Sequence, residues 1–271
     1  MSTYVGPAGN LIRFERMSAE QIDVAERVRF DTTLGGVQKA QIAGTSPRSW
    51  QVGMAAAAPQ DISHLSGLLE GLYGPPPWLY LGPWAQVNNL LAKATSMFLP
   101  GSWSGIGVMA GGPLLLADGS TPRYSVSTIG GVPITVATLP VVPGVPVTAS
   151  AWASGDTEFS LSLVFLDAGG ATLDTVTART QATMAEPPRR GSVTAVPPAG
   201  SVNARFRILG ARRAALPAFT WTKDLAPWAV GEGAPKVVAR GLSKSVLLAS
   251  RDKSYLRRLS MNFTLEEVGN A

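Results

Sequence analysis

Apolar and polar side chains alternate strictly over several short segments of this chain. The alternation is clearest in residues 159–163, in residues 204–208 and again in residues 258–266. Successive side chains of a strand point to opposite faces of a sheet, so each segment predicts a strand with one buried face. The sequence Asp167-Ala168-Gly169-Gly170 follows the first of them and predicts a hairpin turn.

Composition supports a mainly β fold throughout. The 271 residues include 29 Gly and 21 Pro, and only 15% of them are charged, which favours many short strands over long helices. A hydrophobic content of 45% is sufficient for a proper core, in one large domain or two ordinary ones. Cysteine is absent, so the fold needs no disulfides and can be made in a reducing cytoplasm.

One uncharged stretch, Tyr124 to Gly155, is the only candidate for a membrane span. Prolines at four positions would remove backbone hydrogen bonds that a spanning helix needs. They are Pro133, Pro140, Pro143 and Pro146. We therefore expect no membrane insertion, and the N-terminal residues lack the pattern of a signal peptide.

The sequence predicts one short helix, capped by Asp61 and ended by the glycines at 71 and 74. Its apolar stripe would consist of Ile62, Leu65, Leu69 and Leu72. The aromatic, Pro/Gly-rich residues 78–101 that follow are interpreted as a passage between domains. Leaving their aromatic side chains in water would be costly, so we expect either an oligomer interface or burial between domains. The residues concerned are Trp78, Tyr80 and Trp84.

The C-terminal segment shows an alternation of apolar and polar residues like that near the N-terminus. We predict that it pairs with the N-terminal strands, so that the middle of the chain is an insertion. The predicted domains are residues 1–100 with 226–271, and residues 101–225.

The chain is basic, with a net charge of +5 and a pI of about 9.7. The basic residues concentrate near the C-terminus: Lys236, Arg240, Lys244, Arg251, Lys253, Arg257 and Arg258. Only Tyr255 is interleaved with them and no nucleic-acid motif accompanies them. Solvated strand faces or contacts with acidic neighbours are the favoured interpretation, and we predict no nucleic-acid partner.

Residues for catalysis are scarce. His64 is the only histidine, so the common zinc sites and the Ser/His/Asp triad have at most one candidate. Glu266 and Glu267 are neighbours on a predicted strand and point to opposite faces. A glycosidase pair from distant segments stays open, drawn from Asp156, Glu158, Asp167 and Asp174. We predict that the protein is not an enzyme.

Five aromatic residues lie in or beside the predicted middle domain: Trp103, Tyr124, Trp152, Trp221 and Trp228. An exposed aromatic ring stacks well on the apolar face of a sugar, which makes these residues candidates for carbohydrate binding. Burial in a core is the alternative for each of them, and the commoner fate of Trp.

The middle region resembles carbohydrate-binding jelly-roll modules of the galactose-binding type. The carrying segments are VPGVPVTASAWASGDTEFSLSLVFLDAGGATLDTV and RRGSVTAVPPAGSVNARFRIL. The resemblance covers roughly residues 101–225 and implies a β-sandwich that binds glycans or serves as a scaffold. Such modules often carry a structural calcium ion, whose ligands have no match in this sequence. No other cofactor is expected.

The flanks resemble the distal tail and minor tail proteins of long-tailed phages that infect actinobacteria. The carrying segments are RSWQV, the predicted helix, GPPPWLYLGPWAQVNNLL, PWAVGEGAPKVVARGLS and LRRLSMNFTLEEVG. The resemblance implies a β-sandwich tail-hub domain that forms a ring, usually a hexamer, joining the tail tube to the tip. It also implies contacts with the tail tube protein, the tape measure and other hub or tip proteins, and a location at the virion tail tip after assembly in the host cytoplasm.

Three functions stay open on the sequence. The first is a structural tail-tip or baseplate protein with an appended sandwich that contacts host-surface glycans. The second is primarily a non-catalytic carbohydrate-binding module, viral (for host adhesion) or cellular, with the flanks as an attachment domain. The third is a depolymerase or other hydrolase on a β scaffold.

Overall fold

The computed structural model describes residues 2–15, 17–24, 28–32, 38–42, 48–57, 59–248 and 258–268. Its strands are β1 Thr3–Gly6, β2 Ile12–Phe14, β3 Met17–Val24, β4 Val28–Thr32, β5 Gln38–Ile42, β6 Arg48–Ala57, β7 Trp78–Leu81, β8 Val108–Gly111, β9 Ser125–Thr128, β10 Ile134–Pro140, β11 Val147–Leu166, β12 Thr172–Gln181, β13 Arg189–Ala195, β14 Asn203–Thr220, β15 Lys236–Leu248 and β16 Arg258–Glu267. Its helices are α1 Pro59–Leu69, α2 Pro83–Asn88 and α3 Lys93–Ser96. In this part of the chain no helix is long and apolar enough to cross a membrane.

The chain divides into two compact units. We call residues 1–80 with 235–271 the terminal unit and residues 81–234 the central unit. The predicted boundaries, at 100/101 and 225/226, lie about twenty and nine residues away from these positions.

The terminal unit is built on a seven-stranded sheet in the order β2-β1-β7-β15-β16-β6-β3. Strand β16 pairs antiparallel with β6, so the C-terminal strand joins the N-terminal strands as the sequence predicts. Met261, Phe263 and Leu265 are buried while Asn262 between them is exposed, which confirms the predicted alternation.

Helix α1 packs on the core of this unit with a different stripe from the predicted one. Leu65 and Leu68 are 1% exposed, whereas Leu72 is 74% exposed. The helix starts at Pro59, two residues before the predicted cap, and ends at Leu69. Gly71 has a φ of 78°, a left-handed conformation that turns the chain out of the helix before Leu72.

The aromatic segment after Pro77 forms a strand and two short helices instead of an irregular linker. Strand β7 belongs largely to the terminal sheet, where it pairs with β15. Helix α2 then begins with Pro83 in its first turn and ends at Asn88, before Asn89, whose backbone is extended. Proline is well suited to a helix start because its missing N–H would have no partner there.

The central unit is built on a second antiparallel sheet in the order β12-β11-β14-β9-β8, with β13 also pairing with β11 and β10 with β14. The side chains of Ala204, Phe206 and Ile208 are fully buried, as their alternation predicts. The hairpin turn is also confirmed, because the side chain of Asp167 accepts a hydrogen bond from the Ala171 amide at 2.8 Å and Gly170 has a φ of 82°. These sheets confirm the mainly β, β-sandwich fold class.

Two interruptions shape the long strands β11 and β14. Gly155 and Ser160 of β11 pair with Ala211 and Leu209 of β14. Four residues of β11 therefore lie between pairs that only one residue of β14 separates. Between Ala215 and Ala218 of β14, two residues of that strand lie opposite the single residue Ala151 of β11. The second interruption is a bulge at Leu216 and Pro217, and bulges redirect side chains at binding sites.

Candidate functional site

A cavity of about 580 Å³ opens on the central unit, and every residue that lines it belongs to that unit. Its walls come from the segment before β9, from strands β11, β13 and β14, and from the segment after β14. The lining residues are Met97, Asp118, Ser120, Thr121, Pro122, Arg123, Tyr124, Trp152, Arg190, Leu216, Pro227 and Trp228. Three of the five predicted aromatic residues are therefore brought together in one cavity.

Trp152 reaches the cavity because β11 alternates its faces at this point. Ala151 and Ala153 are completely buried on the core face, and Trp152 projects from the opposite face. Its indole is half-buried and packs against the small cluster formed by Leu114 and Leu116. The remaining surface of the ring lines the cavity.

Trp228 lies on an irregular segment, and its position is fixed by the bulge in β14. Its indole N–H donates a hydrogen bond to the carbonyl oxygen of Pro217 at 3.2 Å. Leu216, next to Pro217, has a φ of 48°, which is rare for a residue with a branched side chain. A bulge that frees a carbonyl for this bond therefore holds the second indole on the cavity wall.

Tyr124 immediately precedes β9 and is half-buried. The guanidinium carbon of the exposed Arg123 lies 5.3 Å from the centroid of the Tyr124 ring, within the range of a cation–π contact. A positive charge therefore covers one face of the Tyr124 ring.

Arg190 is placed by the register between β11 and β13, in which it is the direct partner of Trp152. Direct partners in a ladder project on the same face. Its Nη2 donates to Ser150 Oγ at 3.1 Å and to the Ala226 carbonyl at 2.7 Å. Its Nε is buried and has no hydrogen-bond partner among the described residues. Burial lowers the pKa of this guanidinium, and the nearby charge of Asp118 partly opposes that shift.

Asp118 supplies the carboxylate of the site. Its Oδ1 accepts hydrogen bonds from the Ser120 hydroxyl at 2.7 Å and from the Ser120 amide at 2.9 Å. The hydroxyl bond is the main reason that the pKa of Asp118 is lowered, followed by the amide bond. The carboxylate is exposed, so it is an ionised acceptor facing solvent.

The other predicted aromatic residues do not line the cavity. Trp221 is 7% exposed and its backbone amide donates to the Gln86 carbonyl at 2.7 Å. Trp103 is half-buried and packs edge-on against Phe98, with ring centroids 5.8 Å apart.

The residues predicted for an interface have two different environments. Trp78 and Tyr80 are buried in the core of the terminal unit, where Tyr80 lies 5.0 Å from Trp50 between ring centroids. Trp84, on α2, is 67% exposed.

The residues weighed for catalysis or for charge are dispersed. His64 Nδ1 lies 3.0 Å from the Tyr73 hydroxyl, within the terminal unit. Arg240 pairs with Glu266 at 3.0 Å, while basic residues 251–257 lie outside the described residues. In the part of the chain that the structure describes, no three His, Cys, Asp or Glu side chains are grouped to hold a metal, so the calcium that the resemblance implies has no such donor set there.

Asp118 and Arg190 are the functional candidates that sequence reasoning missed. Trp152 and Arg190 are far apart along the chain, and only the register of β11 with β13 places them together. A signal for Trp152 was present, since Ala149, Ala151 and Ala153 form a small-residue face that leaves the Trp on the other side.

No protein-family model matches this chain, and no curated protein matches it. Solved structures similar to part of it include the enzymatically active domain of tailspike protein 4 from bacteriophage CBA120. The identity is 16% and the TM-score 0.40, over 49% of this chain and 21% of that one. This chain thus spans about a fifth of the tailspike structure.

Carbohydrate-binding modules are also among the similar structures. The CBM22-1 xylan-binding domain of Paenibacillus barcinonensis Xyn10C is 13% identical, with a TM-score of 0.34 over 46% of this chain and 89% of that one. A module from the β-sandwich superfamily, described as promiscuous in specificity, is 12% identical, with a TM-score of 0.33 over 80% and 91% of the two chains. Similarity at this level assigns neither a ligand nor a role to this chain.

Proposed function

We propose that the central unit is a glycan-binding module and that its ligand occupies the cavity lined by Tyr124, Trp152 and Trp228. The observation that carries the proposal is the convergence of three half-buried aromatic side chains on one cavity of about 580 Å³. Cavities of this volume suit small ligands, and aromatic faces stack on the C–H face of a pyranose ring.

Polar groups beside the aromatic rings suit the hydroxyl edge of a sugar. Asp118 offers acceptor oxygens and Arg190 offers donors, so vicinal hydroxyl groups could bond to both. Arg190 and Trp228 are each held by hydrogen bonds to the protein, which reduces the entropy that binding would cost.

Binding without catalysis is the proposed mode. Glycosidases use two carboxyl groups on either side of the scissile bond. Among the described residues that line the cavity, Asp118 is the one carboxylate and none is a histidine. The candidates from distant segments, Asp156 and Glu158, are engaged elsewhere by Arg212 and Arg179.

The test is calorimetric titration of the full chain with a panel of soluble oligosaccharides, followed by alanine variants. Trp152→Ala and Trp228→Ala should each weaken binding about 30-fold, the loss of about 2 kcal/mol expected for a central aromatic contact. Trp84→Ala is the matched control, because Trp84 is exposed on α2 and does not line the cavity. Glycan binding that survives both cavity variants unchanged would reject this site.

For the whole protein, we propose a structural role at the tail tip of a phage virion, where the terminal unit forms a ring and the glycan site contacts the host surface. The sequence resemblance of the flanks supports this role. The terminal sheet also has two edges in the described residues, β2 and β3, and sheet edges can pair with neighbouring chains.

Native mass and negative-stain images of the purified protein test the ring. Six copies of the 28.3 kDa chain give about 170 kDa. A ring of that mass supports the tail-tip role. A monomer that binds glycans favours the alternative, in which the protein is primarily a host-adhesion module.

A further inference from the structure

The cavity described above carries an imbalance of charge that bears on the kind of sugar it binds. Its lining includes two guanidinium groups, Arg123 and Arg190, and one carboxylate, Asp118. Asp118 already accepts two hydrogen bonds from Ser120. The described residues provide no carboxylate within 4.0 Å of either arginine, so neither has an ion-pair partner there.

Of the two arginines, Arg190 constrains the chemistry of the ligand more strongly because it is half-buried. The charge of Asp118 acts on it from beyond ion-pair distance, and a guanidinium taken out of water is costly unless its donors are satisfied. Nη2 is satisfied by Ser150 and Ala226, and Nε is buried without a partner. Nη1 has no protein acceptor among the described residues and, unlike Nε, is not a buried unpartnered atom, so it is the nitrogen left for a ligand in the cavity.

Arg123 lies at the exposed rim of the same cavity, over the ring of Tyr124. Its guanidinium covers one face of that ring, and from the rim it can contact a charged substituent of a sugar held in the cavity. The two arginines thus offer donors from the wall and from the rim.

We propose that the cavity takes an anionic sugar residue, whose charged group binds to the guanidinium groups of Arg123 and Arg190. This inference rests on the proposed glycan-binding function and narrows its ligand class. A ring carboxylate, as in a uronic acid, and a sulfate ester share the required chemistry. Both accept charge-assisted hydrogen bonds from arginine.

The experiment compares ligands that differ only in charge. The full chain is titrated with oligomers of galacturonate, glucuronate and mannuronate, each alongside its neutral methyl ester, and with sulfated and unsulfated forms of one neutral oligosaccharide. We expect at least one acid to bind about tenfold more tightly than its own ester. The acid and sulfate arms show which anion the cavity prefers.

The salt dependence of binding and a set of arginine variants then test whether Arg123 and Arg190 cause the preference for the acid. Raising NaCl from 50 to 500 mM should weaken binding of the anionic ligand several-fold and leave the neutral ligand nearly unchanged. Arg190→Gln should remove most of the preference for the acid, and Arg123→Gln should reduce it about threefold, as for an exposed ion pair. Arg213→Gln is the control, because it removes one exposed positive charge that does not line the cavity.

Arg123 is exposed, so its variant should fold even if Arg190→Gln does not. Neutral glycans that bind through Trp152 and Trp228 as tightly as the acids would overturn this inference and leave the glycan-binding function standing. An absence of binding to every glycan of the panel would overturn both.

Discussion

The indole of Trp228 and the carbonyl of Pro217 are joined by a hydrogen bond of 3.2 Å, and that carbonyl also accepts one from the buried side chain of Asn89. A wall of the candidate site is therefore anchored to the interior of the central unit. The bulge in β14 makes this possible by turning the carbonyl away from the ladder.

Trp228→Phe should weaken glycan binding while keeping an aromatic ring in the cavity. The variant loses the bond to Pro217, so the ring is no longer held in one orientation before the ligand arrives. We expect unfolding to become easier by about 1 kcal/mol, the typical net value of one hydrogen bond. Urea denaturation and calorimetric titration measure the two effects, with Trp84→Phe as the control. Unchanged affinity would show that the anchor does not contribute to binding.

Asn89→Ala should lower the free energy of unfolding of the central unit by about 3 kcal/mol or more. The Asn89 side chain is completely buried; its amide donates to Pro217 and Ala229, and its Oδ1 accepts from Leu91 and Phe219. Removing it leaves several buried backbone groups without partners.

Urea denaturation followed by fluorescence would measure this loss. Asn262→Ala, at an exposed position of β16, should change stability by less than about 0.5 kcal/mol. Equal effects of the two substitutions would contradict the role assigned to the buried amide.

Ser120→Ala should raise the pKa of Asp118 toward its ordinary value of 3.8. The Ser120 hydroxyl is the main group that stabilises the ionised carboxylate. Since the pKa is depressed in the folded protein, the charge persists as pH falls below the ordinary value and is lost only at still lower pH. In the variant it is lost at higher pH.

An NMR titration of the carboxyl carbons resolves this shift. Asp156 provides an internal reference, because its own depressed pKa arises from a hydrogen bond to Arg212 and should not respond to the substitution. If the ionised Asp118 carboxylate binds a ligand, the Ser120→Ala variant should lose that contact at a higher pH than the unaltered protein does.

Gly155→Ala should destabilise the central unit by about 3 kcal/mol. A methyl group there would collide with the carbonyl oxygen of Glu158, a backbone atom that cannot move aside cheaply. Gly112→Ala is the control, since nothing lies within 4 Å of the added methyl group. A thermal melt that shifts by several degrees for the first variant only is the expected result, and equal melts would refute it.

Local sequence pattern predicted the strands well and the site only in part. The alternation at 204–208 and the turn at 167–170 depend on neighbouring residues, so both were readable from the sequence. The predicted apolar stripe of α1 was wrong at Leu72, because Gly71 ends the helical geometry before that residue. The aromatic residues could be named but not sorted into core and cavity.

That sorting depends on long-range register. Arg190 becomes part of the site through its pairing opposite Trp152, and Trp228 through a carbonyl released by a bulge. Neither relationship has a local signature. The sugar-binding role of Tyr124, Trp152 and Trp228 stays a prediction until it is measured.

The backbone amide of Tyr80 donates to the carbonyl oxygen of Pro235 at 2.9 Å, so the chain leaves the terminal unit and returns to it at adjacent points. A segment with both ends side by side can be exchanged as a cassette. Any domain whose termini are neighbours could replace residues 81–234 and leave the pairing of β7 with β15 undisturbed. If the proposed glycan-binding function holds, a change of ligand class would then require recombination at only two nearby joints and no change to the sheet that carries them.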